Sequence, residues 1–291
     1  MILCPACGAG HADAGFHCPH CDYQPAVQDG VPLLAPALAA EVDGFDDRAI
    51  ASLAASEAGH FWFEARNRLI VDRFRAAFPR AGDYLEVGAG TGFVLAAIAA
   101  AFPGMALTAS EVLASGLAHA APRVPRARML QLDARALPFE AAFDVVGAFD
   151  VLEHIEEDEA VLARFHRALR PGGGVILTVP QHAWLWSAED DVGGHVRRYR
   201  RGELEGKLRK AGFRILDSTS FTSLLLPAMW LSRRLAGPDA AGDNQAELSP
   251  PPMLGRALGA VMAVERRAIA LGVRFPAGGS RLVIARREDA R

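Results

Sequence analysis

Lysine is almost missing from this chain. Lys207 and Lys210 are the only two in 291 residues, and arginine supplies the remaining basic charge. With alanine so abundant, that bias reads as genome composition. The formal net charge is −3, so no global basic field calls for a polyanionic partner. Long apolar runs are also absent. The most apolar stretch, Leu224–Leu231, falls far short of the ~20 residues that span a bilayer. The opening Met1-Ile-Leu-Cys-Pro5 has neither the basic segment nor the apolar core of a secretion signal. The expectation is a cytoplasmic protein, with peripheral membrane contact left open. Its length suits one large domain plus a small one.

Cysteine is confined to the first 21 residues, so the main body has no disulfide framework. Cys4-Pro-Ala-Cys7 and Cys18-Pro-His-Cys21 form two C-x-x-C knuckles. Brought together, they offer four thiolates in a tetrahedron, the preferred set of a structural zinc. Iron takes the same four-sulfur set. A segment this short cannot build a core, so bound metal would supply its folding energy. His11, His17 and His20 read as surface residues beside it.

The densest signal lies further on, in Tyr84-Leu-Glu-Val-Gly-Ala-Gly-Thr-Gly92. A short apolar run with one acid, Glu86, breaks into Gly88, Gly90 and Gly92. That pattern predicts a buried parallel strand, a glycine turn and a helix N-terminus open to a ligand. A dinucleotide site would want a third packing glycine where Phe93 stands. The acid also disfavours phosphate and favours an ammonium or a ribose.

A second strand, Ala106–Ser110, ends on Glu111, placed to accept from both hydroxyls of a ribose. A third, Met129–Leu132, leads into Asp133-Ala134, an acid able to accept from an adenine amino group. A fourth, Phe143–Phe149, precedes Asp150-Val-Leu-Glu-His154. Leu169-Arg-Pro-Gly-Gly-Gly174 introduces a fifth, Val175–Val179.

In this order and spacing, over about residues 60–220, the five elements resemble class I S-adenosylmethionine-dependent methyltransferases. The resemblance implies an α/β, Rossmann-like sheet of seven strands with helices on both faces. It implies a cofactor site of Glu86, Gly88, Ala89, Gly90, Gly92, Glu111, Asp133, Ala134 and Phe149. The first 36 residues, above all Asp29-Gly-Val-Pro-Leu-Leu34, resemble the small zinc-ribbon activator of tRNA and protein methyltransferases. That implies a ribbon that docks on or supports the catalytic part. The expected organisation is a zinc ribbon over 1–36, a linker or helix over 37–59, and a methyltransferase domain over 60–291.

Ahead of the glycine strand stands His60-Phe-Trp-Phe63-Glu-Ala-Arg66. Apolar residues at helical spacing, Leu69, Ile70, Phe74 and Phe78, predict an amphipathic helix. Its aromatics either staple it to the sheet or form a lid, with His60 and Trp62 facing substrate and sulfonium. Arg66 would then pair with the methionine carboxylate. Methyl transfer needs alignment and exclusion of water, plus a base when the acceptor is a hydroxyl or neutral amine. His195, in the glycine-flanked loop Gly193-Gly-His195-Val-Arg-Arg-Tyr199, and His154, after the fourth strand, are the candidate bases. His182 begins the same loop. Arg197, Arg198 and Tyr199 would contact an anionic group.

Asp150-Val-Leu-Glu-His154 also resembles the corresponding stretch of ubiquinone-biosynthesis O-methyltransferases, which implies a divalent metal such as Mg²⁺ on Asp150, Glu153 and His154. Read as a helix start, those three share one face.

A helix over 202–212 precedes strand six, Phe213–Asp217. The last strand is Ser280–Arg286. Between them an insert of about residues 221–275 holds an apolar stretch with Arg233-Arg234, a proline-rich loop (Gly237–Pro252) and a helix, Met253–Leu271, with Arg266-Arg267. It suits an extra helical layer, a homodimer contact, an apolar acceptor pocket or a membrane-facing surface. The expected activity is methylation, on oxygen, of a small-molecule or lipid-linked acceptor. RNA held by the ribbon and the Arg197–Arg201 cluster is the second acceptor class. No Asn-Pro-Pro-Tyr-like signature follows strand four, where Phe149-Asp-Val-Leu stands, which disfavours exocyclic amines. A non-catalytic methyltransferase-like binder is the third reading, against which the full set of cofactor residues argues.

Overall fold

The computed structural model describes residues 1–13, 15–39, 47–236 and 250–288. Residues 40–46 of the expected linker, residues 237–249 of the proline-rich loop and the Arg234 side chain lie outside that description. The strands are β1 (Ile2–Leu3), β2 (Gly10–His11), β3 (Ala26–Gln28), β4 (Val31–Leu33), β5 (Asp83–Val87), β6 (Ala106–Glu111), β7 (Arg128–Gln131), β8 (Phe143–Phe149), β9 (Leu169–Pro180), β10 (Phe213–Phe221) and β11 (Ser280–Arg287). The helices are α1 (Pro36–Ala39), α2 (Asp47–Ser56), α3 (Phe61–Ala77), α4 (Phe93–Ala101), α5 (Ala114–Arg123), α6 (Asp158–Ala168), α7 (Ala188–Val192), α8 (Glu203–Lys210), α9 (Leu226–Ala236) and α10 (Pro252–Ala270).

One mixed sheet runs in the order β10-β11-β9-β8-β5-β6-β7-β4-β3. Strands β5 to β9 pair in parallel, and β11 lies antiparallel between β9 and β10. Helices cover both faces, so the central strands are buried on both sides and read as nearly continuous apolar runs. One face packs Leu85, Val87, Val146 and Leu177 on Phe165 of α6. The other packs Tyr84, Leu107 and Ile176 on Ile70 and Phe74 of α3 and on Leu95 and Ile98 of α4. Strand order reverses between β5 and β8, and an open α/β sheet binds its ligand at such a switch point, beyond the carboxyl ends of the strands.

The expected seven strands are present, and the described sheet has nine because the β3–β4 hairpin joins it. Leu33 pairs in parallel with Gln131, and the N–H of Leu34 donates to the Gln131 carbonyl at 2.8 Å. The cysteine segment is fastened at a second place. Ile2 bridges Phe139, and Leu3 N–H donates to the Pro138 carbonyl at 2.9 Å. Phe16, fully buried, meets Phe139 edge-on at 6.2 Å, with the Arg128 guanidinium 4.8 Å from its ring centre. The segment therefore lies against the loop that follows β7.

Two local expectations fail. Residues 150–154 do not open an α-helix. Asp150 takes φ +59°, and a short 3₁₀ turn covers Leu152–His154. The three side chains therefore do not share a helical face. Strands five and six run longer than expected, because Gly174 and the polar residues 218–220 continue their ladders to β11. In the insert, α10 packs on α3. A Cβ at Gly259 would sit 3.6 Å from Cβ of Phe61, and Arg266 pairs with Asp72 at 2.5 Å. On α9, Trp230 and Leu231 remain partly exposed.

Candidate active site

Three strand tips meet at the glycine turn. Gly88, Gly90 and Gly92 all have positive φ, of 67°, 51° and 77°. Gly90 has open space where a Cβ would be, whereas one at Gly92 would lie 2.7 Å from Cβ of Ala120. The first glycine leaves room for a ligand and the second lets α5 pack close. Glu111, at the tip of β6, spreads its carboxylate over three amides. Oε2 accepts from Gly90 at 2.8 Å, and Oε1 accepts from Val112 at 2.7 Å and Leu113 at 3.2 Å. Burial raises its carboxyl against those donors. Oε2, with one donor, keeps a second lone pair for a ribose hydroxyl.

Glu86 is buried, and its Oε2 accepts from the Tyr84 hydroxyl at 2.8 Å. Burial pushes this carboxyl up to about 8, against that hydroxyl and the Arg66 charge. Asp133 caps a 3₁₀ turn by accepting from the Arg135 amide at 2.8 Å, and its Oδ2 pairs with Arg135 Nε at 2.9 Å. Ala134 and Phe149 are buried beside it and at the end of β8. The open cradle, the Glu111 carboxylate with its free acceptor site on Oε2, and the buried acid fit an adenosyl ligand that carries an ammonium.

Arg66 and Trp62 are placed otherwise than expected. The Arg66 guanidinium pairs with Asp150 and stacks 4.7 Å over the Trp62 ring. The cation on that aromatic face is thus the protein's own. Trp62 Nε1 donates to Thr222 Oγ1 at 3.3 Å, and His60 caps α3 by accepting from the Trp62 amide.

On the acceptor side the loop after β9 brings His195 to His154, with ring centres 4.7 Å apart. His195 Nδ1 lies 2.7 Å from Oδ1 of the fully buried Asp190. Burial alone would raise the Asp190 carboxyl, but the bonds from His195 and Arg198 outweigh it and hold it well below the usual carboxylate range. An ionised carboxylate only accepts, so Nδ1 donates to Asp190 and, in the neutral ring, Nε2 is the acceptor. Burial and the nearby His195 bring His154 down to about 4, so it is neutral at physiological pH. Burial likewise lowers His182, which stacks on Trp184.

The other loop residues are engaged internally. Arg197 and Tyr199 both bind Asp158, at 2.8 and 2.6 Å, Tyr199 is buried, and Arg198 binds Asp190. The structure therefore does not bring Arg197 and Tyr199 to the acceptor as anion contacts. Asp150 is committed to Arg66 and to Thr178 Oγ1, so the Mg²⁺ set of Asp150, Glu153 and His154 is not assembled. Glu153, His154 and His195 instead lie with their ligand atoms within 4.8 Å of one another. Two imidazoles and a carboxylate suit a transition ion better than the oxygen-seeking Mg²⁺.

The four thiols also meet, all within 4.8 Å, with Cys4–Cys21 at 3.6 Å and Cys7–Cys18 at 3.7 Å. A tetrahedron with ~2.3 Å metal–sulfur bonds has edges of about 3.8 Å. Burial would raise the Cys4 thiol, but the Cys7 and Ala6 amides and the other thiols bring it down to about 6.

A model of the methyltransferase domain matches residues 58–218. The chain belongs to this family. Its methyltransferase domain is of the class I, S-adenosylmethionine-dependent type. It is 30% identical over 166 residues to the "Probable S-adenosylmethionine-dependent methyltransferase" of Mycolicibacterium smegmatis, covering 55% of this chain and 62% of that protein. It is 33% identical over 173 residues to the 27-O-demethylrifamycin SV methyltransferase of Amycolatopsis mediterranei, covering 51% of this chain and 60% of that protein. The chain thus spans about six tenths of the length of these relatives. Among solved structures, the methyltransferase's fold is shared by Haemonchus contortus phosphoethanolamine N-methyltransferase 2 in complex with S-adenosyl-L-methionine. The TM-score is 0.60 at 20% identity, over 88% of this chain and 60% of that one.

Two residues of this methyltransferase stand outside the set the sequence points to. Asp190 stood unremarked five residues before His195, and only the capping pattern Ser187-x-x-Asp190 hinted at a fixed carboxylate. Glu57, inside the expected linker, is 4% exposed and bound to the glycine turn.

Proposed function

We propose that this chain transfers a methyl group from S-adenosylmethionine to a hydroxyl of a small-molecule or lipid-linked acceptor. The observation that carries the reading is the Asp190–His195 pair beside the tip of β8. Bound S-adenosylmethionine supplies a methyl activated on a sulfonium. Glu111 and Asp133 offer acceptors to its adenosine part, and Glu86 offers a buried acid to its ammonium. Arg66 is held by Asp150 and Trp62, close to the same acid. His195 Nε2 would take the acceptor's proton as the oxygen–methyl bond forms and the methyl–sulfur bond breaks, with S-adenosylhomocysteine as the leaving group. Asp190 keeps Nδ1 protonated and offsets the imidazolium charge, the arrangement that general-base catalysis needs. The rifamycin relative is named for methylation of an oxygen and supports the same chemistry here. Of the Arg197–Arg201 cluster expected to hold RNA phosphate, Arg197 and Arg198 are paired within the protein, which leaves only the exposed Arg200 and Arg201 for RNA beside the ribbon.

Cys4, Cys7, Cys18 and Cys21 hold a structural zinc in this reading, and the 3.6–3.7 Å sulfur spacing supports it.

Calorimetric titration with S-adenosylmethionine and S-adenosylhomocysteine comes first, with micromolar binding of both expected. Radiolabelled donor then screens hydroxylated lipids, polyketides and RNA. Incorporation into a hydroxylated apolar acceptor, lost in His195→Ala, supports the proposal. Incorporation into RNA alone, or no cofactor binding at millimolar concentration, overturns it.

A further inference from the structure

Glu57 is a carboxylate buried where the sequence predicts a linker or helix. Both its oxygens lie within hydrogen-bond reach of the Thr91 hydroxyl, at 2.6 and 2.7 Å. The Arg123 guanidinium closes the cluster. Its Nη1 lies 2.6 Å from Glu57 Oε2, 2.8 Å from Thr91 Oγ1 and 3.1 Å from the Thr91 carbonyl. Its Nη2 donates to the Ala54 carbonyl of α2 at 3.1 Å. Three stretches of chain, 54–57, 91 and 123, thus meet on one buried ion pair.

An apolar contact would fasten α2 equally well, without the desolvation that a buried ion pair costs. What the ions add is direction. Arg123 holds the Thr91 carbonyl from one side. On the other side of the same peptide plane, Gly92 N–H donates to the Ala89 carbonyl at 2.8 Å. With both its ends bound, the 91–92 peptide cannot rotate, and the turn keeps its three left-handed glycines. One residue earlier, Gly90 N–H is the donor that holds Glu111. Polar contacts therefore lead from Glu57 through Arg123 to Thr91, and the peptide bond to Gly90 carries the constraint on to the carboxylate expected to receive the ribose. A second grip reinforces it. Asn67 donates to the Phe93 carbonyl at 3.0 Å, and Arg123 lies 5.5 Å over the Phe93 ring.

We propose that Glu57 is a positioning residue of the cofactor site, acting through Arg123 and Thr91 to fix the glycine turn and Glu111. The proposal rests on the S-adenosylmethionine reading of that site. It assigns residues 54–57 to the binding machinery rather than to a connection.

The test is calorimetric Kd for S-adenosylhomocysteine on the full chain at 25 °C, with melting temperature recorded beside it. Glu57→Gln keeps the shape and removes the charge. It should weaken binding roughly tenfold, as small displacements at a prearranged site do. Thr91→Val should do the same, and Thr91→Ser, which keeps the hydroxyl, should restore wild-type affinity. The double variant Glu57→Gln/Thr91→Val should be no weaker than either single one, because both act on one chain of contacts. Wild-type affinity in a folded Glu57→Gln protein overturns the proposal, as does equal weakening by Thr91→Ser and Thr91→Val. If Glu57→Gln does not fold, the two Thr91 variants decide it. Absence of binding by the wild-type chain is a separate result, which overturns the cofactor reading and this inference with it.

Discussion

Two N–H donors converge on one oxygen of Asp190: His195 Nδ1 and Arg198 Nε each lie 2.7 Å from Oδ1. The other oxygen, Oδ2, accepts from the amide of Ser187 at 2.8 Å and closes the capping box of α7. Loop, short helix and imidazole are therefore set by one carboxylate. Asp190→Asn should keep most of these contacts yet offer an amide that can donate to Nδ1, favouring the wrong tautomer. Turnover should fall by about 10²–10⁴, the usual worth of a positioned base, with cofactor Kd unchanged. His195→Ala should fall into the same range, and the double variant no further. Single-turnover assays with radiolabelled donor and an identified acceptor check this. An additive loss would separate the two residues.

Cofactor affinity should depend on pH through Glu86. Burial brings its carboxyl to about 8, so the free protein carries it protonated at neutral pH. An ammonium partner favours the carboxylate, so binding must release that proton. S-adenosylhomocysteine affinity should rise with pH up to about 8 and then level off. The stability consequence runs the other way. The folded value lies above the unfolded one, near 4.5. The folded state therefore holds more protons between the two values. The Glu86 contribution to stability is full below about 4.5 and is lost as pH rises through 8. Calorimetry in buffers of different ionisation heat reads the proton release, and affinity flat between pH 6 and 8.5 would refute it.

The Arg66–Asp150 pair joins α3 to the end of β8, and Asp150 meets it from φ +59°. Breaking a buried pair costs about 3–5 kcal/mol, and the partial exposure of Asp150 places this one near 2–3 kcal/mol. Asp150→Ala should cost that much in urea unfolding. Asp150→Gly loses the same pair but relieves the left-handed backbone, so it should cost about 1 kcal/mol less. Equal losses would rule out a strained backbone.

The cysteine segment should be a metal-dependent part of the fold. Mercurial treatment should release one zinc per chain, read with a colorimetric chelator. Cys4→Ser should lower the melting temperature by loosening the segment on Phe139. Phe16→Ala, which leaves the thiols alone, should cost about 3–5 kcal/mol, as for other buried phenylalanines. Full stability in both variants would make the segment a mere appendage.

The glycine strand, the acids at the strand tips and the aromatic helix were legible because each is written in consecutive residues with a fixed period. The pairings were not. Nothing near Leu33 announces Gln131, nothing near Tyr199 announces Asp158, and nothing near Glu57 announces Thr91. Edge pairing and buried ion pairs are made across the fold and leave no local pattern. Asp150-Val-Leu-Glu-His154 misled for a related reason. Its spacing suits a helix, but Asp150 is drawn to Arg66 and turns the backbone left-handed, so Glu153 and His154 meet His195 instead.

The union of β4 with β7 has a consequence for the chain during its synthesis. Leu33 leaves the ribosome about one hundred residues before Gln131, its partner in the sheet. At roughly 5–20 residues per second, the newborn hairpin waits about 5–20 s with an open edge. Four clustered thiols within the first 21 residues are complete from the outset of that wait. A captured ion would keep the cysteine segment ordered until the partner strand of β4 arrives.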